Sequence, residues 1–245
     1  MKERPILFST AMVRAILDGR KTQTRRVIKS AMDGRKITGL NRHSEPGFRD
    51  TFASNKGDDF WAGCCPYGVP GDTLWVRETF GIVTHAFDEN ENMIDWVPDR
   101  PSKSVHEMKL GRGYWNGHVI YMADGAFEWN AGDDPTINIC TLWNPAIHMP
   151  RSACRLLLPV LEVRAERLQD ITEEDAIAEG IERVSSVGPM RAFGWRDYGG
   201  GRGFIHPVES FRSLWDSINA KRGFGWNANP WVWGVTFAKQ GGLAL

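Results

Sequence analysis

At residues 19–26 the chain reads Gly-Arg-Lys-Thr-Gln-Thr-Arg-Arg, directly after an apolar helical pattern and before the apolar pair Val27-Ile28. Four of these eight residues are basic and none is acidic, and hydroxyl and amide groups lie between the charges. A basic turn attached to a core helix would suit a polyanion. It would equally place a lysine beside a hydroxyl group for chemistry. The stretch by itself leaves both uses open.

The residues before this stretch predict a short buried strand at 5–8 followed by a helix. Ser9 or Thr10 would cap the helix, because its hydroxyl can accept from the first free N–H groups. Apolar residues then recur at helical spacing as far as Leu17. Gly19 supplies the left-handed residue that ends such a helix. The basic stretch therefore begins at a helix C-terminus, where the helix dipole favours cations.

Beyond the basic stretch, the hydrophobic pattern predicts three strands and two helices. They lie at residues 73–79 (strand), 155–168 (strand), 170–180 (helix), 211 to about 223 (helix) and 229–237 (strand). Pro159 marks an edge or a bulge of the second strand, because proline cannot donate to a sheet. Thr172 is the predicted cap of the first helix, Asp175 completes a capping-box pattern with it, and Gly180 ends the helix.

We interpret residues 1–245 as one α+β domain with three insertions. Residues 29–64 are polar without periodicity and predict a long loop. Residues 86–147 contain short aromatic pieces between Gly, Asn and Asp clusters and predict hairpins. Residues 185–206 are rich in glycine, and no predicted strand precedes them as a phosphate-binding loop requires, so they predict a flexible loop.

The charge and composition of the chain limit the classes of function. Basic and acidic residues number 30 each, so the formal net charge is zero and any basic surface must be local. The 11 tryptophans favour core packing over base-stacking platforms. No apolar run is long enough to cross a membrane.

The cysteines and the N-terminal residues predict reduced thiols in a cytoplasmic protein. Cys64, Cys65, Cys140 and Cys154 form no C-x-x-C pair, and charged residues interrupt the N-terminal apolar residues, unlike a signal peptide. His148 and Cys154 are near each other but supply too few ligands for zinc. We therefore expect no metal and no cofactor.

Four segments together resemble the ASCH-domain family, a branch of the PUA-like superfamily. They are residues 16–26, 70–78, 171–180 and 229–233. The resemblance is closest to the larger members common in phages and prophages, and it covers roughly residues 1–28, 65–85 and 148–240. Each segment alone is a weak signal, whereas the ordered set is specific.

The resemblance implies a small mixed β-barrel of the PUA-like type, with short flanking helices and two large loop or hairpin insertions. The small bacterial members are amidohydrolases that remove the acetyl group from N(4)-acetylcytidine, and they match this chain around Lys-Thr-x-Thr-x-Arg. Lys21 and Thr24 match their lysine and second threonine, and Glu179 best matches their glutamate. Other members are proposed to bind or cut RNA, so an RNA or modified-nucleotide binding module and an RNA nuclease remain alternatives.

The residue chemistry agrees with an acyl-transfer reaction, which needs a nucleophile, a base, an acid for the leaving amine and an oxyanion stabiliser. Burial and neighbouring arginines would lower the pKa of Lys21, so that the neutral amine could deprotonate Thr24. Residues 21 and 24 of an extended strand point to opposite faces and meet only if the chain turns. Glu179 would protonate or orient the leaving amine.

The expected ligand is a nucleoside, a nucleotide or RNA, and the sequence assigns no oligomeric state. Arg26 or Arg77 would stabilise negative charge, Glu78 competes with Glu179 for the acid role, and the ring of Trp75 could stack on a base. The full set of predicted substrate-binding residues is Arg20, Thr22, Arg25, Arg26, Arg77, Glu78 and Trp75.

Overall fold

The structure of the protein is a computed structural model that describes residues 1–29, 37–41, 51–54, 59–61, 65–90, 92–127, 143–187 and 192–239. These residues form a mixed α+β fold, as the sequence predicts. The helices are α1 (Thr10–Leu17), α2 (Glu173–Ala178) and α3 (Pro207–Asn219). The strands, in chain order, are β1 (Glu3–Leu7), β2 (Gln23–Val27), β3 (Ile37–Asn41), β4 (Thr51–Ser54), β5 (Asp59–Trp61), β6 (Thr73–Arg77), β7 (Phe80–Val83), β8 (Ala86–Phe87), β9 (Met93–Ile94), β10 (Lys103–Leu110), β11 (Gly113–Tyr121), β12 (Leu157–Arg167), β13 (Arg183–Val187), β14 (Ala192–Trp195) and β15 (Trp231–Phe237).

The central sheet has five strands in the order β1-β6-β12-β15-β2. β1 runs parallel to β6, and the other three pairings are antiparallel. The basic stretch of the sequence therefore enters this sheet at one edge, as β2. A second sheet of three strands has the order β10-β11-β7, and two further hairpins pair β8 with β9 and β13 with β14.

Both faces of β15 are buried, so this strand separates two apolar cores. Val235 is 0% exposed and packs in one core with Val13 and Ile16 of α1 and Leu74 of β6. Val232, also 0% exposed, packs in the other core, which contains the aromatic residues of α3. Successive side chains of a strand point to opposite faces, which is why residues 232 and 235 belong to different cores.

The predicted ends of α1 and α2 agree with the observed ones, whereas α3 begins at Pro207 and ends at Asn219, earlier at both ends than predicted. Ser9 caps α1 and accepts from Met12 N, and Thr172 caps α2 and accepts from Asp175 N at 3.2 Å. Gly19 follows α1 with φ of +73°, a left-handed conformation that favours glycine. These local signals depend on neighbouring residues only, so sequence reasoning finds them reliably.

Two regions that predicted loops contain strands. Within residues 29–64, β3, β4 and β5 pair as a three-stranded antiparallel sheet, with Leu40 opposite Phe52 and Phe52 opposite Phe60. Within residues 185–206, β13 and β14 form a hairpin. Strands of three to five residues are too short to show a clear alternation in the sequence, and pairing with a neighbour stabilises them.

The other insertion contains hairpins, as predicted. β10 and β11 form the longer hairpin. β11 also pairs with β7, which lies in residues 65–85, outside the insertion. In the part of the chain that the structure describes, no helix is both long enough and apolar enough to cross a membrane.

Candidate functional site

The C-terminal end of α2 lies against the residues just before β2. Thr22 N donates to Ala178 O at 2.8 Å, and Lys21 forms an isolated antiparallel bridge with Glu179. Gly180 turns the chain here with φ of +86°, and a Cβ atom on it would lie 2.7 Å from Lys21 Cβ. Only glycine satisfies both the conformation and the close approach. The end of the helix therefore positions Glu179 directly over Lys21.

Lys21 and Glu179 form a buried ion pair. Lys21 Nζ donates to Glu179 Oε2 and to the Glu179 backbone oxygen, both at 2.8 Å. The two residues are 2% and 5% exposed. Burial lowers the pKa of Lys21, and the Glu179 carboxylate opposes this shift. The structure thus brings together two predicted catalytic residues that are 158 positions apart in the sequence.

Arg25 holds the same glutamate from the other side. Its side chain is 0% exposed and donates to Glu166 Oε1 at 2.8 Å, Asp175 Oδ2 at 2.7 Å and Glu179 Oε1 at 3.3 Å. Arg164 donates to Glu166 Oε2 at 2.8 Å and also to Asp175. We call the six connected residues the cleft network: Lys21, Arg25, Arg164, Glu166, Asp175 and Glu179.

The cleft network balances three cations against three carboxylates. This balance matters because an unpaired charge in a protein interior is costly. Burial would raise the pKa of Asp175, but the hydrogen bond from Arg164 and the charge of Arg25 outweigh it and lower the pKa. Each oxygen of the Glu179 carboxylate has its own cationic donor, so the orientation of this carboxylate is fixed.

Gly234 of β15 makes room for the cleft network. It lies opposite Arg25 of β2 on one side and opposite Arg164 of β12 on the other. A Cβ atom on Gly234 would lie 3.2 Å from Glu166 Oε1 and 3.3 Å from Arg164 Cγ. The missing side chain therefore lets charged groups of β2 and β12 meet across β15.

A cleft of about 600 Å³ opens beside Glu179, between β2 and α3. Helix α3 supplies one apolar wall from Phe211, Leu214, Trp215 and Ile218. A second cavity of about 490 Å³ shares Glu179 with it. Glu179 is therefore the carboxylate of the cleft network that borders both spaces. We use "the cleft" for the larger one.

Thr24 lines the cleft but does not contact Lys21 through a hydrogen bond. It is 2% exposed, and its hydroxyl has no hydrogen-bond partner among the described residues. Lys21 is not among the described residues that line the cleft. It lies behind Glu179, to which its Nζ donates. The reason is that β2 begins at Gln23, so Thr24 already lies in extended backbone beyond the turn.

Arg26 lines both cavities. Its Nη2 donates to Leu7 O at 2.6 Å, and its guanidinium lies 5.2 Å from the centre of the Phe8 ring. Its Nε is buried and has no hydrogen-bond partner among the described residues. Burial lowers the pKa of Arg26, and the charges of Tyr67 and Glu179 oppose this shift.

The other residues predicted to bind substrate are not among the described residues that line the cleft. Arg20 donates to Gly180 O at 3.1 Å and pairs with Asp18 at the surface, and the Thr22 side chain is exposed. Arg77 lies on β6 with its guanidinium 5.5 Å from the centre of the Trp75 ring. Arg77 also donates to a backbone oxygen, that of residue 147.

Glu78, the competing candidate for the acid role, belongs to a second buried group of charges. Arg155 Nε and Nη2 donate to its two carboxylate oxygens at 3.0 Å each, and Arg155 Nη1 donates to Asp124 at 2.7 Å. The centre of the Tyr121 ring is 3.9 Å from the Arg155 guanidinium. Burial raises the pKa of Glu78, and it is 1% exposed. We call Glu78, Asp124 and Arg155 the Glu78 network.

The described residues show no cluster of three or more His, Cys, Asp or Glu that could hold a metal ion. The carboxylates of the cleft network all bind arginine or lysine instead. Cys65 and Cys154 are buried free thiols, and burial raises the pKa of Cys65 to about 11. Cys64 and Cys140 lie outside the described residues.

Sequence reasoning missed part of this site. Glu162, Arg164 and Glu166 alternate along β12, and this alternation was the available signal for a charged row on one face of the strand. Asp175 was interpreted only as part of a capping box. The helical pattern of α3 was recognised, but the position of its apolar side chains across the cleft from β2 was not.

The chain matches no protein-family model, and no curated protein and no solved structure is similar to it at a significant level. A function for the protein therefore has to be argued from the residues of the cleft and their geometry. The buried Lys21–Glu179 pair and the lining of the cleft carry that argument.

Proposed function

We propose that the protein is an amidohydrolase that removes the acyl group from an N(4)-acylated cytidine-like nucleoside or nucleotide. The observation that carries the proposal is the buried Lys21–Glu179 ion pair at the edge of a cleft that Thr24 also lines. Glu179 is fixed by two cationic donors, and Thr24 offers a hydroxyl without a protein partner among the described residues. A fixed carboxylate beside an available hydroxyl suits acyl transfer.

In the proposed reaction, Lys21 Nζ first passes a proton to the Glu179 carboxylate along their hydrogen bond, and the resulting neutral amine accepts the hydroxyl proton as Thr24 Oγ1 attacks the acyl carbon. Burial favours the neutral amine because it lowers the pKa of Lys21. The protonated Glu179 gives its proton to the leaving amine of the cytosine, which restores the Lys21–Glu179 ion pair. Water hydrolyses the acyl-threonine, returns a proton to the Thr24 oxygen and releases the carboxylic acid.

This chemistry requires Thr24 Oγ1 to approach Lys21 Nζ when substrate is bound. Arg26 lines the cleft next to Thr24, and its cationic side chain would stabilise the oxyanion of the tetrahedral intermediate. The proposal also includes a PUA-like barrel. In its support, Arg26 on one edge strand of the central sheet donates to Leu7 O on the other edge strand.

The test is to incubate the protein with N(4)-acetylcytidine and to follow the release of cytidine by absorbance. We expect turnover by the wild type and a loss of about 10²-fold or more for Thr24→Ala and for Lys21→Met, since each removes a group that acts in the chemical step. Thr79→Ala, a half-buried threonine outside the cleft, is the matched control and should keep full activity.

Two results would contradict the proposal. One is an absence of turnover by correctly folded wild-type protein with acylated cytidine nucleosides and nucleotides. The other is turnover that Thr24→Ala and Lys21→Met both leave unchanged. Binding of the same compounds without turnover would favour the non-catalytic binding module, and cleavage of a labelled RNA strand would favour the nuclease.

A further inference from the structure

The cleft contains cationic side chains that no carboxylate of the described residues neutralises. Arg26, Lys29 and Arg222 all line it, and none of them has an acidic partner within salt-bridge distance among those residues. Arg25, by contrast, has three carboxylate partners. Since the whole chain has a formal net charge of zero, these cations form a local positive surface rather than part of a general excess.

One wall of the cleft is apolar. Its lining contains Phe211 and Trp215 of α3, whose rings are almost wholly buried, and the more exposed side chains of Leu214, Ile218 and Phe224. Trp215 is held in place because its indole N–H donates to Phe224 O at 2.7 Å, and its ring packs at 6.0 Å from the Phe211 ring. An apolar wall in the same cleft as unpaired cations matches a ligand that has a flat base at one end and an anionic group at the other.

The size of the cleft limits that ligand. A volume of about 600 Å³ lies within the usual range for sites that hold one small molecule or cofactor. It suits one mononucleotide better than a longer nucleic-acid chain, which needs a continuous basic groove for its backbone.

We infer that the substrate of the proposed reaction is a nucleotide, whose phosphate binds Lys29 and Arg222 while its base lies against the wall of Leu214, Ile218 and Phe224 beside Glu179. The inference that this substrate carries an acyl group rests on the proposed function. The inference that it carries a phosphate rests on the unpaired cations alone. Arginine and lysine recognise phosphate through charge-assisted hydrogen bonds, and a free nucleoside would leave Lys29 and Arg222 without a partner.

The experiment compares ligands with and without the phosphate. Binding of cytidine 5′-monophosphate and of cytidine is measured by titration calorimetry at low salt, and hydrolysis of N(4)-acetylcytidine and of its 5′-monophosphate is followed by absorbance. We expect the monophosphate to bind and to react at least about tenfold better, because hydrogen bonds between charged groups are worth that much or more.

Charge-removing variants locate the phosphate. Arg222→Gln and Lys29→Gln should each weaken binding of the monophosphate by about tenfold and leave binding of cytidine unchanged. Arg212→Gln is the matched control, because Arg212 is an exposed cation of the same helix α3 that does not line the cleft. It should bind both ligands as the wild type does.

The outcomes separate this inference from the proposed function. Equal binding and equal hydrolysis of the two cytidine compounds would overturn the nucleotide inference and leave the amidohydrolase proposal intact. Tight binding of the monophosphate without hydrolysis of either acylated compound would overturn the amidohydrolase proposal and support the phosphate site. Tighter binding of a cytidine-containing RNA oligonucleotide than of the monophosphate would overturn the mononucleotide inference in favour of RNA.

Discussion

The cleft network and the Glu78 network both bury a glutamate against arginine, but they differ in what lies next to the glutamate. Glu78 is 1% exposed and is enclosed by Arg155, and the Tyr121 ring covers that guanidinium. Glu179 is almost as buried, yet it borders the cleft and the neighbouring cavity. The comparison shows that burial and pairing alone do not identify a functional carboxylate, because a reacting group must also reach a ligand.

The networks also differ in how they hold the carboxylate. In the Glu78 network one arginine binds both oxygens of Glu78, which is the geometry of a structural clamp. In the cleft network Lys21 and Arg25 bind one oxygen each. Lysine loses its proton far more readily than arginine, so the cleft network contains a group that can take part in proton transfer.

The largest expected effect separates the two glutamates by activity. Glu179→Gln should reduce kcat/KM for the acylated cytidine substrate by about 10²–10⁴-fold, the range for removal of a general acid or base. Glu78→Gln should keep wild-type activity per folded molecule. Activity is measured by absorbance, with folding checked by circular dichroism, and equal losses in the two variants would show that the comparison is wrong.

The next effect separates the two arginines by stability. Arg155→Met leaves Glu78 and Asp124 buried without their cation and should lower the free energy of unfolding by about 3–5 kcal/mol. Arg25→Met should destabilise by a similar amount and also reduce activity, because it releases one oxygen of Glu179. Urea unfolding gives the stability. If Arg155→Met impaired hydrolysis by the folded protein, the Glu78 network would have a role in the site.

A smaller effect tests the position of Lys21. Gly180→Ala would place a Cβ atom 2.7 Å from Lys21 Cβ and force a left-handed conformation on alanine. We expect a loss of about 1–3 kcal/mol in unfolding free energy, with reduced activity. Gly200→Ala is the control, since Gly200 also has a positive φ but nothing within 4 Å of an added Cβ. Wild-type activity for Gly180→Ala would mean that activity does not depend on the close approach of Gly180 to Lys21.

The smallest effect concerns pH, and its sign differs between the networks. The pKa of Glu78 is raised, so the folded state favours its proton, and its contribution to stability falls as pH rises above the ordinary value of 4.5. The pKa of Lys21 is lowered, so its contribution is complete above the ordinary value of 10.5 and falls as pH decreases through the folded pKa.

Each unit of pKa shift corresponds to about 1.4 kcal/mol. The difference in unfolding free energy between wild type and Glu78→Gln should therefore decrease as pH rises from 4.5, whereas that between wild type and Lys21→Met should increase as pH approaches 10.5. Urea unfolding at a series of pH values measures both. If both free-energy differences changed in the same direction with pH, this result would contradict the opposite pKa shifts of Glu78 and Lys21.

The sequence by itself determined the local elements of this protein. The caps at Ser9 and Thr172 and the glycines that follow α1 and α2 depend on interactions between residues a few positions apart. Four strands of the central sheet were also predictable, because alternation and length mark them, whereas the residues of β2 were expected to form a basic turn. The short strands of the insertions were not, since pairing with neighbours rather than their own pattern stabilises them.

Only the tertiary structure decided which charged residues meet. The sequence ranked Glu78 second to Glu179 for the acid role, and their separation into a clamp and a cleft carboxylate depends on contacts across 77 and 158 positions. The roles of Arg25, Arg164 and Gly234 likewise follow from strand register, which sequence patterns leave undetermined. Local propensity depends on adjacent residues, whereas the electrostatics of a site depends on distances between charges that are fixed only when the chain folds.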